Sequence, residues 1–141
     1  DDSWIITSTR VQYGINPRNS LEGKIIHHYG CKDTSLVKEV VKEIPIYRDV
    51  GIAEVVKGQK GVEYLQAFFG TNDNAETIMQ LMEIISENER SKIKVWTADV
   101  GARSQPTIRV AALSYSGGDG CHLSGDGNLD GKGRSRGVRY E

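Results

Sequence analysis

The sequence predicts an α+β fold: one domain over residues 1–116, built on a small, mostly antiparallel β-barrel, followed by an ordered Gly-rich C-terminal tail at 117–141. Three observations carry this reading. Short segments rich in β-branched residues recur along the chain, each bounded by Gly, Pro, Asn or Ser. The stretch 73–88 is the clearest helix, with a start signal and an apolar stripe at helical spacing. Eight of the 16 glycines fall in the 21 residues from Gly117 to Gly137, the one shift of composition in the chain. Fixing so much glycine costs entropy, so an ordered tail has to be held by a metal, a disulfide, a partner chain or its own domain.

The elements follow in order. Residues 4–13 read as a strand, residues 14–23 as a loop containing Asn16-Pro17, and residues 24–29 as a second strand ended by Gly30. Asp33 reads as an N-cap for a helix carrying Val37, Val40, Val41 and Ile44 at i, i+3, i+4, i+7, closed before Pro45. Residues 46–56 read as extended with a break near Gly51, 57–61 as a turn, and 62–69 as strand or helix, with strand preferred, stopped by Gly70. The main helix, 73–88, opens on a capping-box pattern of Asp73 and Glu76 and lines up Ile78, Leu81, Met82 and Ile85. Residues 92–97 and 107–116 are the last two strands, joined by 101–106. A helix before the last two strands of a five-stranded barrel is the OB pattern.

At 141 residues with 38% apolar and 26% charged side chains, the chain is globular rather than disordered. A net charge of −1 argues against a protein whose main work is gripping nucleic acid through a basic excess, and leaves room for a local basic patch. No apolar run approaches the roughly 18 residues of a membrane span. The opening Asp1-Asp2-Ser3, without an initiator methionine, reads as a processed or trimmed product. Cys31 and Cys121 can form one disulfide closing a loop of about 90 residues, or remain free thiols, so they leave the compartment open.

Within residues 76–115 a helix is followed by Lys94-Val95-Trp96, a polar turn, and Pro106-Thr107-Ile108-Arg109-Val110-Ala111-Ala112-Leu113-Ser114. This order resembles the end of the receptor-binding subunits of cholera-type enterotoxins and of similar small secreted OB-fold proteins. In that family a long helix precedes a strand ending in Val-Trp, a turn with a Pro, and an alanine-rich last strand. The resemblance covers about 40 of the 141 residues; the first 60 do not match, and this chain continues 25 residues past the last strand. It implies a secreted, oligomeric, sugar-binding ring, with Trp96 lining a galactose pocket.

Strand alternation places Ile93, Val95 and Thr97 on one face and Lys92, Lys94 and Trp96 on the other. A Trp sharing its face with lysines is outside the main core, and is either a stacking platform for a sugar or base or a contact covered by the tail or a subunit. The histidines and cysteines cluster as His27-His28-Tyr29-Gly30-Cys31 and Cys121-His122. His28, Cys31, Cys121 and His122 would make a zinc tetrahedron if the tail folds back, although a Cys31–Cys121 disulfide explains the clustering as well. Asp126, Asn128 and Asp130, followed by Gly131, match the first half of a calcium loop, but Gly137 stands where its bidentate Glu belongs. An Asp/Asn/Gly turn series explains the same residues without metal. Calcium or zinc are thus the metals to consider, and no other cofactor is expected.

Lys57-Gly58-Gln59-Lys60-Gly61 contains the GxxG turn with which KH domains clamp a nucleic-acid backbone. Lys132, Arg134, Arg136 and Arg139 make the end of the tail basic, fit for a phosphate or an acidic surface, or simply solvated. No nucleophile elbow or phosphate loop is present, and adjacent Cys121 and His122 would rarely face one substrate. The preferred function is non-enzymatic binding of a glycan by an oligomeric module, through Trp96, Lys94 and Lys92. The rivals are a structural subunit whose tail is ordered by partner chains, and a single-stranded nucleic-acid binder using Lys57, Lys60, Lys92 and Lys94.

Overall fold

Strand β1, Asp2–Tyr13, is the spine of the sheet. In the computed structural model of the chain, which describes residues 2–28, 36–99, 101–116, 120–127 and 134–135, β1 pairs antiparallel with β6, Thr107–Ser116, along its whole length. The pairing slips once, between Ile6 and Arg10. There the Thr7 hydroxyl donates to the Ala111 carbonyl at 2.7 Å and accepts the Thr9 N–H at 3.2 Å, so the bulge satisfies its own polar groups. The far half of β1 pairs with β2, Gly23–His28, which pairs in turn with β3, Leu36–Val41. On the other flank β6 pairs with β7, Cys121–Gly127, then β5, Ile93–Trp96, then β4, Val50–Gly51. The order is β3-β2-β1-β6-β7-β5-β4, and the short β8, Arg134–Ser135, lies parallel to β1. All neighbours are antiparallel except β5–β7 and β1–β8. The described strands thus form an open, mostly antiparallel sheet with β3 and β4 at its edges, where the sequence led us to expect a closed barrel.

Helices α1, Ile52–Val55, α2, Gln59–Phe69, and α3, Ala75–Ser86, enclose the main core with one face of this sheet. The fold is therefore α+β as expected, with several elements reassigned. β3 replaces the helix expected after Asp33: three valines in six residues favour extended backbone, and each residue of β3 finds a register partner on β2. The Ile44 N–H then bonds the Leu21 carbonyl at 2.6 Å, and Ile44 enters the core. α2 replaces the strand expected at 62–69, and α1 interrupts the extended segment after Gly51. Gly61, Tyr64, Leu65 and Phe68 are buried at i, i+3, i+4, i+7, a helical stripe that begins in the residues assigned to a turn. Gly70, with φ 65° and ψ 39°, stops the helix in the left-handed conformation.

α3 stands where the sequence placed it, but Asn74 rather than Asp73 is its cap. The Asn74 side chain accepts the Thr77 N–H at 2.9 Å. Its buried stripe is Ile78, Met79 and Met82. Leu81 and Ile85, expected on that stripe, remain exposed beside Ile84, which is 75% exposed. The largest difference is β7. Residues that composition assigned to the tail form a strand between β5 and β6, so a division at Gly117 falls between two adjacent strands of one sheet.

Candidate functional site

On β5, Ile93 and Val95 point into the helix-side core and are fully buried, while Lys94 and Trp96 occupy the opposite face, half-buried. β7 alternates in step: Cys121 and Leu123 join the core, and His122 and Ser124 share the face of Lys94 and Trp96. Registry with β6 extends this face into two rows, Ser114–His122–Lys94 and Ala112–Ser124–Trp96. Ala112, Ser114 and Ser124 are small and buried, so they floor a surface whose larger members are Trp96, Lys94 and His122.

Trp96 is held from two sides. The Arg48 guanidinium lies over its ring, 5.3 Å from the centroid. Its indole N–H faces the Asp126 carboxylate near the end of β7. Asp126 also stands 3.3 Å from the Arg109 guanidinium on β6. Burial pushes the Asp126 carboxyl above its ordinary range, while Arg109 and the indole N–H pull it back. At the other end of the face, His122 Nε2 meets the Asp49 carboxylate. Asp49 holds φ at 63°, a left-handed conformation that Asp tolerates better than most residues. It directly precedes Val50, whose register partner is Val95, so Asp49 enters β4 beside the Trp96 end of β5.

Behind this face, on the core side, a buried arginine fixes the loops that carry it. Arg103 is 2% exposed and donates to the carbonyls of Ala98 at 2.7 Å, Pro45 at 3.0 Å and Ile44. Its guanidinium lies 4.8 Å from the Tyr13 ring centroid. Burial lowers its pKa, but its donors are matched by carbonyl oxygens. It thereby ties the segment after β5 to the segment between β3 and β4, and so sets Trp96 against Arg48. Tyr13 donates its hydroxyl to the Gly125 carbonyl at 2.8 Å. A Cβ at position 125 would strike the Tyr64 hydroxyl, so glycine is required where β7 passes over the two tyrosines.

The structure brings Trp96 and Lys94 together as the sequence implied. Lys92 lies one turn earlier, exposed in the short 3-10 segment Arg90–Lys92, and is not in the two rows. The zinc quartet does not converge. His28 lies on β2, separated from β7 by β1 and β6, and Cys121 and His122 point to opposite faces. Cys31 lies outside the described residues. Cys121 is a free thiol, buried, with its pKa pushed up to about 11 by desolvation. The same opposition of faces removes any shared nucleophile and base from Cys121 and His122. Among the described residues no group of three or more His, Cys, Asp or Glu side chains is placed to hold a metal ion. Asp126, the first residue of the calcium-like run, is engaged by Arg109 and Trp96; Asn128 and Asp130 lie outside the described residues, as do Lys132, Arg136 and Arg139.

The GxxG turn is explained by packing. Gly61 sits where a Cβ would collide with the Val55 carbonyl, so it lets α2 approach α1. Lys57 is paired with Glu54 and Lys60 with Glu43, which neutralises the loop that would face a phosphate backbone. Arg48, Asp49, Ser114 and Ser124 escaped the sequence reading. The alternation of Cys121 and Leu123 with His122 and Ser124 was the signal for β7, masked by the surrounding glycines.

Comparison with protein-family models, with curated proteins and with solved structures gives no match to this chain. Among the described residues no helix is long and apolar enough to cross a membrane.

Proposed function

We propose that the chain is a non-enzymatic, oligomeric binding module that takes a glycan on the helix-free face of its sheet, at Trp96. The observation that carries this reading is the setting of Trp96 outside the core cluster. Its edge is fixed by Asp126, and its ring is covered on one side by the exposed, movable side chain of Arg48. Sugars bind by stacking a C–H face on an aromatic ring while planar polar groups take the hydroxyls. Lys94, His122, Asp49 and Arg48 are such groups or lie beside them. The partial resemblance to sugar-binding OB-fold subunits points the same way. The pairing of β8 with β1 supports its companion expectation, an ordered tail.

The test is a glycan array followed by calorimetry on the intact chain and on Trp96→Ala. Binding that disappears in the variant and changes little as salt rises supports a glycan surface. Binding that weakens steeply with salt and favours single-stranded nucleic acid would replace it with the nucleic-acid reading. A second reading, a structural subunit of a larger assembly, is favoured by α3, which carries Leu81, Ile84 and Ile85 on its exposed side in addition to its buried stripe. That reading predicts no glycan binding at all.

A further inference from the structure

We propose that the cleft between edge strand β3 and helix α2 is a second binding site, for a small organic cation bearing a primary ammonium group. The cleft measures about 420 Å³, within the range of small-molecule sites. Val41 and Ala67 give it apolar walls; Glu39, Glu63 and Gln66 supply its acceptors.

Glu39 is the residue that asks for a ligand. Its register partner on β2 is Ile25, which is fully buried against the helices, so Glu39 also faces the helix layer. The next residue on that face, Val41, is core. A carboxylate therefore occupies a position that strand patterning gives to an apolar side chain. One of its oxygens, Oε2, is shielded from solvent and has no hydrogen-bond donor. His27 Nε2 lies 3.7 Å away, but it meets the Ala67 carbonyl at 2.7 Å, and Nδ1 faces the Thr9 hydroxyl at 2.9 Å. Both ring nitrogens are thus hydrogen-bonded elsewhere, and His27 serves Glu39, whose side chain is 41% exposed, as a charge partner when protonated rather than as a hydrogen-bond donor.

The other acceptors lie on α2. Gln66 gives its amide N–H to the Asp73 carbonyl at 3.1 Å, which leaves its side-chain oxygen as the acceptor it can offer. Glu63 supplies a second carboxylate one turn earlier. Lys42 is the one cation among the described lining residues, exposed on β3's side, so two carboxylates outnumber it and the lining keeps a net negative charge. An ammonium is the compact multiple donor that such a set accepts, and the apolar walls suit a short alkyl chain behind it. An inward charge on an edge strand also discourages edge-to-edge pairing. That role, however, requires neither a cleft nor acceptors on the facing helix.

The experiment is an NMR titration of ¹⁵N-labelled chain with n-butylammonium chloride, and separately with n-butanol and sodium butyrate. The expected result is a saturable shift of the Val40, Ala67 and Thr71 amides with the amine alone, weakened at least about tenfold in Glu39→Gln. Glu63→Gln, on the exposed face of α2, should weaken the same shifts and provides the test if Glu39→Gln does not fold. Equal binding of butanol, preference for butyrate, an undiminished response in both variants, or no saturable shift would each overturn the proposal. Trp96→Ala should leave amine binding unchanged, because the cleft lies across the sheet from that surface.

Discussion

Arg103 replaces the hydrophobic residue that usually fills such a buried position, and it does so by matching its donors to backbone oxygens. Removing it would leave the Ala98 and Ile44 carbonyls unsatisfied around a cavity, while Pro45 keeps the Thr97 hydroxyl. Arg103→Ala should therefore cost about 3 kcal/mol or more of stability, read from the shift in the urea unfolding midpoint. Nothing in the sequence marks this residue, because the loop around it is polar and two of its carbonyl partners, Ile44 and Pro45, lie more than 50 positions away. Trp96 was legible because alternation alone assigns it a face, whereas its partners Arg48 and Asp126 arrive through tertiary contacts. Cys121 gives a pH test. Its thiol is raised from 9.0 to about 11, so the native state retains the proton longer than the unfolded chain. The stabilising contribution is fully present below about pH 9 and is lost as pH rises through about 11. Unfolding midpoints should fall over that interval in the wild type and fall less in Cys121→Ala. In a Cys31→Ser background at pH 8, native Cys121 should resist thiol reagents, and rapid labelling would contradict its burial.

At the scale of elements, α3 offers a direct comparison of two caps. The Asn74 side chain bonds the Thr77 N–H, so Asn74→Ala should destabilise by about 1 kcal/mol, while Asp73→Ala should fall within a few tenths. The reverse order in thermal melts would restore the Asp73 capping box. This helix was legible because its start signal and apolar positions agree. β3 and α2 were misread for opposite reasons. In β3, valines fall at helical spacing, yet their branching favours a strand and β2 supplies partners. In α2, the glycines of the preceding turn hid the first residue of the buried stripe. Gly61 serves helix–helix approach and Gly70 the helix stop, so two glycines that look alike in sequence do different physical work.

For the whole molecule, the decisive feature is the insertion of β7 between β5 and β6. Strand order is set by long-range pairing, which a local pattern does not encode, and glycine-rich composition disguised β7 as part of a tail. The sheet predicts that a chain ending at residue 116 cannot complete the fold, since β4 and β5 would lose their link to β6. Circular dichroism and urea titration of that fragment should show no cooperative transition; a cooperative fold would refute the topology. The same insertion brings His122, Ser124 and Asp126 beside Lys94 and Trp96 and so creates the surface to which we assign binding. The most direct test of that assignment is an NMR titration of the labelled full chain with lactose, a galactose-terminated probe. The account predicts saturable shifts at the Trp96 indole N–H and the Lys94, His122 and Ser124 amides, absent in Trp96→Ala. Saturable shifts confined to another surface, or none at this face, would contradict it.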